Sequence, residues 1–209
     1  MKVIVPFKPI NPKSRLGNVL NSDEREEFAK LMLLDVLKVL RESGLEVKVI
    51  TTSKIDVGVD AEIVEDNREL DECINAELIE VPKAVVMSDL PLLNLETIER
   101  FFEMKEDVII APGRKGGTNM LAVRRKGFKV SYHYCSFLKH VSTARSLGYS
   151  YRIFDSFYAS IDIDTEDDIL ELMIHGEGKL SRSFLNRIGF HIEMAKVPKL
   201  VRYVKYSRF

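Results

Sequence analysis

The sequence predicts an α/β protein built around a mostly parallel sheet. In the first half of the chain, short apolar runs alternate with helical patterns, the order expected when strands are joined by crossover helices. The run 84–87 is apolar throughout, as in a strand covered on both faces. Asn21 and Glu24 have the spacing of a capping box, and Gly44 is a typical helix terminator. A long helix is therefore expected between them.

The remaining elements follow in order along the chain. Strands are predicted at 2–6, 46–51, 61–64, 84–87 and 108–111, and helices at 68–80 and 95–104. The second half is less regular. There we expect paired strands at 119–123 and 129–132, a helix at 137–147, extended segments at 151–154 and 159–163, and a helix from 166. Neither a repeat nor a low-complexity linker interrupts residues 1–209, so a single domain is predicted.

Composition excludes several classes of protein. The 209 residues carry 31 Lys and Arg against 32 Asp and Glu, a net charge of -1, and 45% are hydrophobic. That apolar content is too high for a disordered chain, and no run approaches the roughly 20 apolar residues of a membrane helix. Pro6 interrupts the amino-terminal run too early for a signal peptide, and near-neutrality gives no general reason to bind nucleic acid. Because Cys73 and Cys135 match no metal spacing, we expect reduced thiols in a cytoplasmic protein.

Charge is distributed unevenly along this neutral chain. Residues 176–209 contain eight basic and two acidic residues, a net charge of +6, and the preceding residues therefore carry -7. A free basic arm would not need the apolar residues of this segment: Ile188, Phe190, Ile192, Val197, Leu200, Val201 and Val204. We predict that this basic C-terminal extension is ordered and packs on the body of the protein or on a second subunit, which favours a homodimer.

A candidate metal ligand lies just after a predicted strand. Asp89 follows the run 84–87 and precedes Leu90 and Pro91. In an open α/β sheet the carboxyl ends of the strands border the ligand crevice, and a carboxylate there is well placed to hold a metal ion. Taken alone, an Asp before Leu-Pro is more often an N-cap or a turn residue.

Two further carboxylates lie close together in the sequence. In an extended segment, Asp162 and Asp164 point to the same face, while Ile161 and Ile163 face the core. Like charges on one face repel, and a divalent cation relieves the repulsion. Capping of the helix from 166 by Asp164 or Thr165 is the structural alternative, but it leaves Asp162 unexplained. Together with Asp89, a three-carboxylate metal site is favoured.

Two basic loops are candidates for binding phosphate. Segment 7–17 contains Lys8, Lys13 and Arg15 directly after the first strand, a combination suited to a polyphosphate, although a solvated loop is equally plausible. It lacks the glycines of a P-loop or a dinucleotide fingerprint. The turn 112–119 is rich in glycine and basic residues and could offer backbone amides to an anion; a plain hairpin turn explains it equally well.

Ser136 has histidines near it in the sequence, but they do not predict a hydrolase. His140 lies four residues further along the expected helix, and neither it nor His133 completes a recognisable catalytic triad. Ser136 is better explained as the N-cap of the helix, which leaves the amino end of that helix free to receive a phosphate.

Six segments of the chain form a recognisable set when taken in order. They are Val5-Pro6-Phe7-Lys8-Pro9 with Lys13-Ser14-Arg15-Leu16, Ile74-Asn75-Ala76, Ser88-Asp89-Leu90-Pro91-Leu92, Gly117-Thr118-Asn119, Ser136-Phe137 with His140, and Asp162-Ile163-Asp164-Thr165. Over roughly residues 1–172, this set resembles the 2-phospho-L-lactate guanylyltransferase family of deazaflavin coenzyme F-420 biosynthesis. In the family these are the phosphate loop, a segment near the nucleotide, a metal-binding motif, two acceptor-side motifs and a metal pair.

The resemblance implies a single-domain, Rossmann-like nucleotidyltransferase of the nucleotide-diphospho-sugar transferase type, with a mixed, mostly parallel central sheet. It implies transfer of GMP from GTP to the phosphate of 2-phospho-L-lactate or phosphoenolpyruvate, with release of pyrophosphate. The implied catalytic residues are Lys13, Arg15 and Asp89. The implied ligands of Mg²⁺ are Asp89, Asp162 and Asp164, the nucleotide contacts are Lys8, Lys13, Ser14, Arg15 and Asn75, and the acceptor contacts are Thr118 and Ser136.

Two segments depart from the family pattern. His-Tyr-Cys at 133–135 stands where the family usually has glycines before the serine, and 68–72 replaces glycines that usually precede the Leu-Asn pair. Two other functions also stay open. One is a related Mg²⁺-dependent nucleotidyltransferase that acts on a sugar phosphate or a molybdopterin. The other is a non-catalytic nucleotide-binding module in which the carboxylates only cap and pack.

Overall fold

A computed structural model describes residues 1–58 and 61–203 of the chain. Within these residues there are nine strands, seven helices and two short 3₁₀ turns, at 14–16 and 114–116. The strands are β1 (Lys2–Phe7), β2 (Glu46–Thr51), β3 (Glu62–Glu65), β4 (Lys83–Val86), β5 (Val108–Pro112), β6 (Thr118–Val123), β7 (Tyr151–Ile153), β8 (Phe190–Glu193) and β9 (Lys199–Arg202). The helices are α1 (Ser22–Glu42), α2 (Leu70–Glu77), α3 (Leu95–Glu103), α4 (Ser136–Ser146), α5 (Phe157–Ser160), α6 (Glu166–His175) and α7 (Leu180–Arg187).

Seven of the strands form one mixed sheet in the order β3-β2-β1-β4-β6-β5-β7. All neighbours are parallel except β6, which runs antiparallel to both β4 and β5. Strands β8 and β9 form a separate antiparallel pair. The predicted α/β class with a mixed, mostly parallel sheet is confirmed.

Alternate residues of the central strands bury opposite faces of the sheet. Val3 and Val5 of β1 pack with residues of α1 such as Phe28, whereas Ile4 packs with Ile74 of α2. All five are fully or almost fully buried. The sheet is thus covered by helices on both faces, which explains why its strands read as continuous apolar runs.

The strand predicted at 129–132 is wrong. Its expected partner, β6, is already hydrogen-bonded on both edges by β4 and β5, so no edge is free to pair with it. The amides of residues 130–132 donate instead to side chains, namely those of Asn75, His140 and Asp71. These side chains satisfy backbone groups that a neighbouring strand would otherwise satisfy.

The extended segment predicted at 159–163 is wrong at its start. Residues 157–160 form the short helix α5, closed by a hydrogen bond from Ser160 N to Ser156 O at 3.0 Å. Only the part from Ile161 onward is extended. Helix α2 is shorter than the predicted range 68–80, and the other elements match their predicted ranges to within one or two residues.

The C-terminal extension is fixed to α1 through its helix α7. The rings of Phe28 and Phe184 stack with centroids 6.3 Å apart. Asp35 of α1 is 2% exposed, and its carboxylate accepts hydrogen bonds from Leu180 N at 2.8 Å, Ser181 N at 3.0 Å and Ser181 Oγ at 2.6 Å. A buried side chain of α1 therefore satisfies the free amides at the start of α7.

Further along the extension, the guanidinium of Arg202 forms an ion pair with Glu24 and donates to Val19 O at 2.6 Å. Val204, which the sequence analysis grouped with the apolar residues of the extension, lies outside the described residues. None of the described helices has the length and apolar character needed to cross a bilayer.

Replacing Asp35 by Ala should lower the free energy of unfolding by about 2–4 kcal/mol, because it leaves buried donors at the start of α7 without an acceptor. Urea denaturation followed by circular dichroism measures this difference. Glu27→Ala, at an exposed acidic position of the same helix, is the matched control and should change stability by less than about 0.5 kcal/mol. Equal losses for the two variants would contradict the role given to Asp35.

Candidate active site

A cleft of about 610 Å³ opens at the carboxyl ends of β1, β2 and β4. This is the edge at which open α/β sheets bind ligands. Its lining comes from four stretches of chain, which lie within 6–15, 50–52, 66–70 and 87–89, and from four further residues: Ala29, Met32, Cys73 and Asp164. The predicted phosphate loop and two of the three predicted metal ligands therefore border one cavity.

The loop between β1 and α1 is held in a defined shape. Leu16 is fully buried, and the guanidinium of Arg25 donates to Pro12 O at 3.2 Å and to Leu20 O at 3.1 Å. Lys13 adopts a left-handed backbone conformation with φ 51° and ψ 45°. This conformation is strained for a residue with a side chain, and it accompanies a Lys13 side chain that bonds two carboxylates across the cleft.

Lys13 links two carboxylates that are far apart in sequence. Its Nζ lies 2.5 Å from Asp89 Oδ2 and 2.9 Å from Asp164 Oδ1. Burial alone would lower the pKa of Lys13, but the charges of Asp89 and Asp164 outweigh it and raise that pKa. Arg15 reaches the other oxygen of Asp164, with Nη1 2.8 Å from Oδ2. The pKa of Asp164 is lowered, because these cations outweigh the effect of its burial. The arrangement is a charge-balanced network of two cations and two carboxylates.

The segment carrying Asp164 is positioned by its alternate residues. Ile161 and Ile163 are fully buried, as predicted, and Ile163 N donates to Asp89 O at 3.1 Å. The cap of α6 is formed by Thr165, whose amide and hydroxyl both donate to the carboxylate of Asp168. Asp164 is therefore not the capping residue, and its carboxylate is available to the cleft.

Asp162 lies in a less favourable electrostatic position. Its Oδ1 accepts one hydrogen bond from Asn119 Nδ2 at 3.2 Å. Burial and the nearby charge of Asp89 raise the pKa of Asp162. The Oδ1 atom of Asp89 is itself buried and has no hydrogen-bond partner among the described residues. These two carboxylates thus carry acceptor capacity that the described part of the chain does not use.

The carboxylates of Asp89, Asp162 and Asp164 have some of the properties that a metal site needs and lack others. In residues 1–58 and 61–203, no three His, Cys, Asp or Glu side chains converge into a ready metal site. Lys13 already lies between Asp89 and Asp164. However, the unpartnered Oδ1 of Asp89 and the destabilised charge of Asp162 are oxygen donors of the type that Mg²⁺ prefers. The residues fit a hard divalent cation, provided that Lys13 shifts.

Thr118 and Ser136 do not line the cleft but lie in a buried hydrogen-bond network. Thr118 Oγ1 is 2.9 Å from His140 Nδ1 and 3.2 Å from Ser136 Oγ. The pairing of β5 with β6 shifts register between Ala111 and Pro112, as in a β-bulge that re-aims side chains. Thr118 is thereby directed toward α4, and the following Asn119 toward Asp162.

Ser136 is not the N-cap of α4, and that prediction is wrong. Cys135 holds the cap position with φ 52°, and Ser136 is the first helical residue. Its hydroxyl bonds Thr118 instead of an amide of its own helix. The tertiary contact decides the role of Ser136, and a local capping pattern cannot reveal it.

The structure separates the other predicted ligand residues into two groups. Lys8 and Ser14 line the cleft together with Lys13 and Arg15. Asn75 does not line it: its amide donates to Val130 O at 3.2 Å and accepts from Val130 N at 2.8 Å. The contact between Asn75 and a nucleotide therefore stays a prediction.

Two residues of this region were missed by the sequence analysis: Asp66 and Arg68, which form an ion pair in the wall of the cleft. The role of a third was missed: Asn119 was named in an acceptor-side motif, and in the structure it holds Asp162. The rule that ligands bind at the carboxyl ends of strands could have identified Asp66, because it directly follows β3. The contact of Asn119 with Asp162 gave no such signal, since it joins residues 43 positions apart.

Comparison with known proteins identifies the family. A family model described as "Guanylyl transferase CofC like" matches residues 1–207. The chain belongs to this family. It is 55% identical over 202 residues to the 2-phospho-L-lactate guanylyltransferase of Archaeoglobus profundus, covering 97% of each chain. It is 53% identical over 205 residues to the protein of the same name from Archaeoglobus fulgidus, covering 98% of each. The predicted family and the predicted guanylyltransferase class of enzyme are confirmed.

Solved structures with low sequence identity share the fold. A protein of Desulfovibrio desulfuricans G20, provisionally named a nucleotide-diphospho-sugar transferase, matches with a TM-score of 0.76 at 15% identity, over 89% of this chain and 94% of that one. A nucleotidyl transferase of Methanothermobacter thermautotrophicus matches with a TM-score of 0.55 at 13% identity, over 90% and 99%. The predicted fold type is confirmed.

The structure gives a physical account of one departure from the family pattern. Tyr134 and Cys135, which stand where the family usually has glycines, have φ 39° and φ 52°. These values lie in the left-handed region that glycine adopts without strain. This guanylyl transferase therefore keeps a glycine-like backbone at 134–135 while carrying two side chains there.

Gly113→Ala should disrupt the site through Asn119. A Cβ at Gly113 would lie 2.3 Å from Asn119 Oδ1, so the amide that holds Asp162 must move. We expect the free energy of unfolding to fall by about 1–3 kcal/mol and pyrophosphate release to fall with it. Gly117→Ala, in the same turn, is the control: its Cβ meets nothing closer than 3.8 Å, and its φ is -70°. Its stability should stay equal or rise slightly. Similar losses for both variants would contradict this account.

Proposed function

We propose that this guanylyl transferase moves GMP from GTP to the phosphate of 2-phospho-L-lactate and releases pyrophosphate, as a step in coenzyme F-420 biosynthesis. The names of the Archaeoglobus relatives support the substrate. The observation that carries the proposal is the network of Lys13 and Arg15 with Asp89 and Asp164 at the end of an α/β cleft. Such a set suits chemistry that depends on positioning and neutralising phosphates.

The reaction needs no dedicated general base. A phosphate oxygen of the acceptor, already ionised at neutral pH, attacks the α-phosphorus of GTP. A new P–O–P bond forms there while the bond to the β-phosphate oxygen breaks, and pyrophosphate leaves with the electron pair. This agrees with the chemistry of the nearby histidine: His140 is fully buried, and burial lowers its pKa to about 4.

The leaving pyrophosphate would be held by the basic loop. Lys8, Lys13, Ser14 and Arg15 line one wall of the cleft. Arg15 is largely exposed, with 71% of its side chain accessible, so it can reach a ligand without breaking buried contacts. Cations aimed at the position where negative charge develops lower the barrier to phosphoryl-type transfer.

Mg²⁺ would be held by Asp89, Asp162 and Asp164, and the bound ion would neutralise phosphate charge in the reaction. The unpartnered Oδ1 of Asp89 and the raised pKa of Asp162 support this assignment. On binding, Lys13 would move from the carboxylates to the phosphates. GTP would use Asn75 only if that side chain left Val130.

The acceptor would be held on the side of Thr118 and Ser136. Phospholactate and phosphoenolpyruvate both present a phosphate beside a carboxylate, so a hydroxyl pair and nearby backbone amides suit either of them. A cytoplasmic location and a homodimer remain predictions from the sequence.

A substrate matrix tests the proposal. Pyrophosphate release should be detected with GTP and Mg²⁺ in the presence of 2-phospho-L-lactate or phosphoenolpyruvate, and should be weak with ATP, CTP or UTP. Sugar phosphates serve as the competing acceptors. Efficient turnover with a sugar phosphate alone would point to another nucleotidyltransferase, and GTP binding that is indifferent to Mg²⁺ without pyrophosphate release would indicate a binding module.

Asp162→Asn should abolish turnover without loss of stability. Asparagine keeps the oxygen that accepts from Asn119, while it removes a charge that burial and Asp89 disfavour. Thermal unfolding with and without Mg²⁺ gives the second readout. Mg²⁺ should raise the unfolding temperature of the wild type and have little effect on the variant.

The matched control is Asp167→Asn, at an exposed acidic position in the first turn of α6. It should keep both activity and the response to Mg²⁺. Near wild-type turnover of Asp162→Asn would exclude Asp162 as a metal ligand.

A further inference from the structure

The buried network behind Thr118 contains a group to which the proposed reaction gives no role. His140 is fully buried on α4, and both of its ring nitrogens are engaged. Ser131 N lies 3.0 Å from Nε2, and Thr118 Oγ1 lies 2.9 Å from Nδ1. A backbone amide can only donate, so Nε2 must be the acceptor.

This contact determines the tautomer of the ring. Burial holds the pKa of His140 at about 4, so the imidazole is neutral at pH 7. Since Nε2 carries the lone pair, the single ring proton is on Nδ1, and it donates to Thr118 Oγ1. The charged groups that face the ring are Asp71 and Lys139, which have opposite effects on its pKa.

The tautomer in turn sets the direction of the hydroxyl hydrogen bonds. Thr118 Oγ1 accepts from the ring, and Ser136 Oγ lies 3.2 Å from it. The two hydroxyls carry two protons, and the hydrogen bond between them uses one. The second proton has no acceptor within the network. With the opposite tautomer, Thr118 would donate to the ring and Ser136 to Thr118, and both protons would be used. The observed network therefore leaves one donor for a ligand.

We propose that His140 is a positioning residue for the acceptor: its Nδ1–H tautomer, locked by the amide of Ser131, orients Thr118 and Ser136 so that the pair offers a hydroxyl donor to the anionic acceptor. This rests on the proposed function, which puts the acceptor on this side. An anion must accept a hydrogen bond from the protein. With the opposite tautomer of His140, both hydroxyl protons would be used within the network, and the pair would present only lone pairs to the anion.

The tautomer lock depends on a segment held by side chains. The amides of Val130, Ser131 and Tyr132 bond Asn75, His140 and Asp71, so helix α2 fixes the segment on both sides of the contact with His140. The ring of Tyr132 also packs edge-on against His140, with centroids 5.2 Å apart. Helix α2 also lines the cleft through Leu70 and Cys73. A continuous chain of contacts therefore runs from the cleft through α2, the segment 130–132 and His140 to Thr118.

Two substitutions separate the two ring contacts. In His140→Asn the amide can take the place of Nδ1 and keep a donor for Thr118, whereas in His140→Gln the amide oxygen can take the place of Nε2 and keep an acceptor for Ser131.

We expect His140→Gln to raise the KM for the phospho-acid about tenfold and to leave the KM for GTP within about twofold. His140→Asn should retain the acceptor KM more closely and lose more thermal stability. Asn and Gln replacements of His191, an exposed residue of β8, are the controls.

A long-range ¹H–¹⁵N spectrum of protein labelled at histidine reads the tautomer without any substitution. The expected pattern for His140 is the neutral Nδ1–H form, unchanged from pH 5.5 to 8.5. An Nε2–H form, a titration in this range, or equal losses of GTP and acceptor affinity in both His140 variants would overturn the proposal. If the wild type released no pyrophosphate with any acceptor, the proposed function would be wrong, and the tautomer would still decide the assignment of His140.

Discussion

Neutralisation of carboxylates at the edge of the sheet is the constraint on which the site depends. Asp89 and Asp164 come from separate loops and are brought together by the bond from Ile163 N to Asp89 O. Without a cation their repulsion would oppose the packing of that segment. Lys13 supplies the cation, and its own burial is tolerable only because two carboxylates surround it. The structure shows Lys13 on the carboxylates. Under the proposed function, a metal ion would replace it there and release Lys13 to a phosphate ligand.

Backbone strain is concentrated in the loops around this edge. In the described part of the chain, the residues other than glycine with positive φ are Asn11, Lys13, Lys115, Tyr134 and Cys135. Asn11 and Lys13 line the cleft. Lys115 belongs to the turn that precedes Thr118. That turn lies close to Cys135, since a Cβ on Gly116 would be 3.8 Å from it. Such conformations cost about 1–3 kcal/mol each and persist where the surroundings determine them. In the described part of the chain, the strained residues thus lie beside the cleft or near Thr118 and Ser136, as is common at functional sites.

The sequence predicts the regular half of this molecule better than its irregular half, for a physical reason. Strands such as β1 and β4 are specified by local apolar patterning, and α1 by its own capping box at Asn21 and Glu24. Local patterns likewise pointed to the three candidate carboxylates, because each follows a strand or alternates with core residues: Asp89, Asp162 and Asp164. The segment 129–132 has the composition of a strand, but whether it pairs depends on a free edge, and β4 occupies that edge of β6. Ser136 likewise has the local signal of an N-cap, which its contact with Thr118 overrides. Long-range hydrogen bonds by side chains are not encoded in any short window.

The basic extension packs on α1 through contacts that its net charge does not indicate. Its first helix is not held by its positive charge alone. A buried carboxylate, Asp35, bonds the amides at its amino end, and the apolar contact of Phe184 with Phe28 lies on the same helix pair. Charge enters further along, where Arg202 bridges Glu24. That same Glu24 accepts from the amide of Asn21, the N-cap of α1. Arg202 thus contacts the Glu24 of the capping box, at the start of the helix that follows the predicted phosphate loop. Packing of the extension and capping of α1 therefore share one carboxylate.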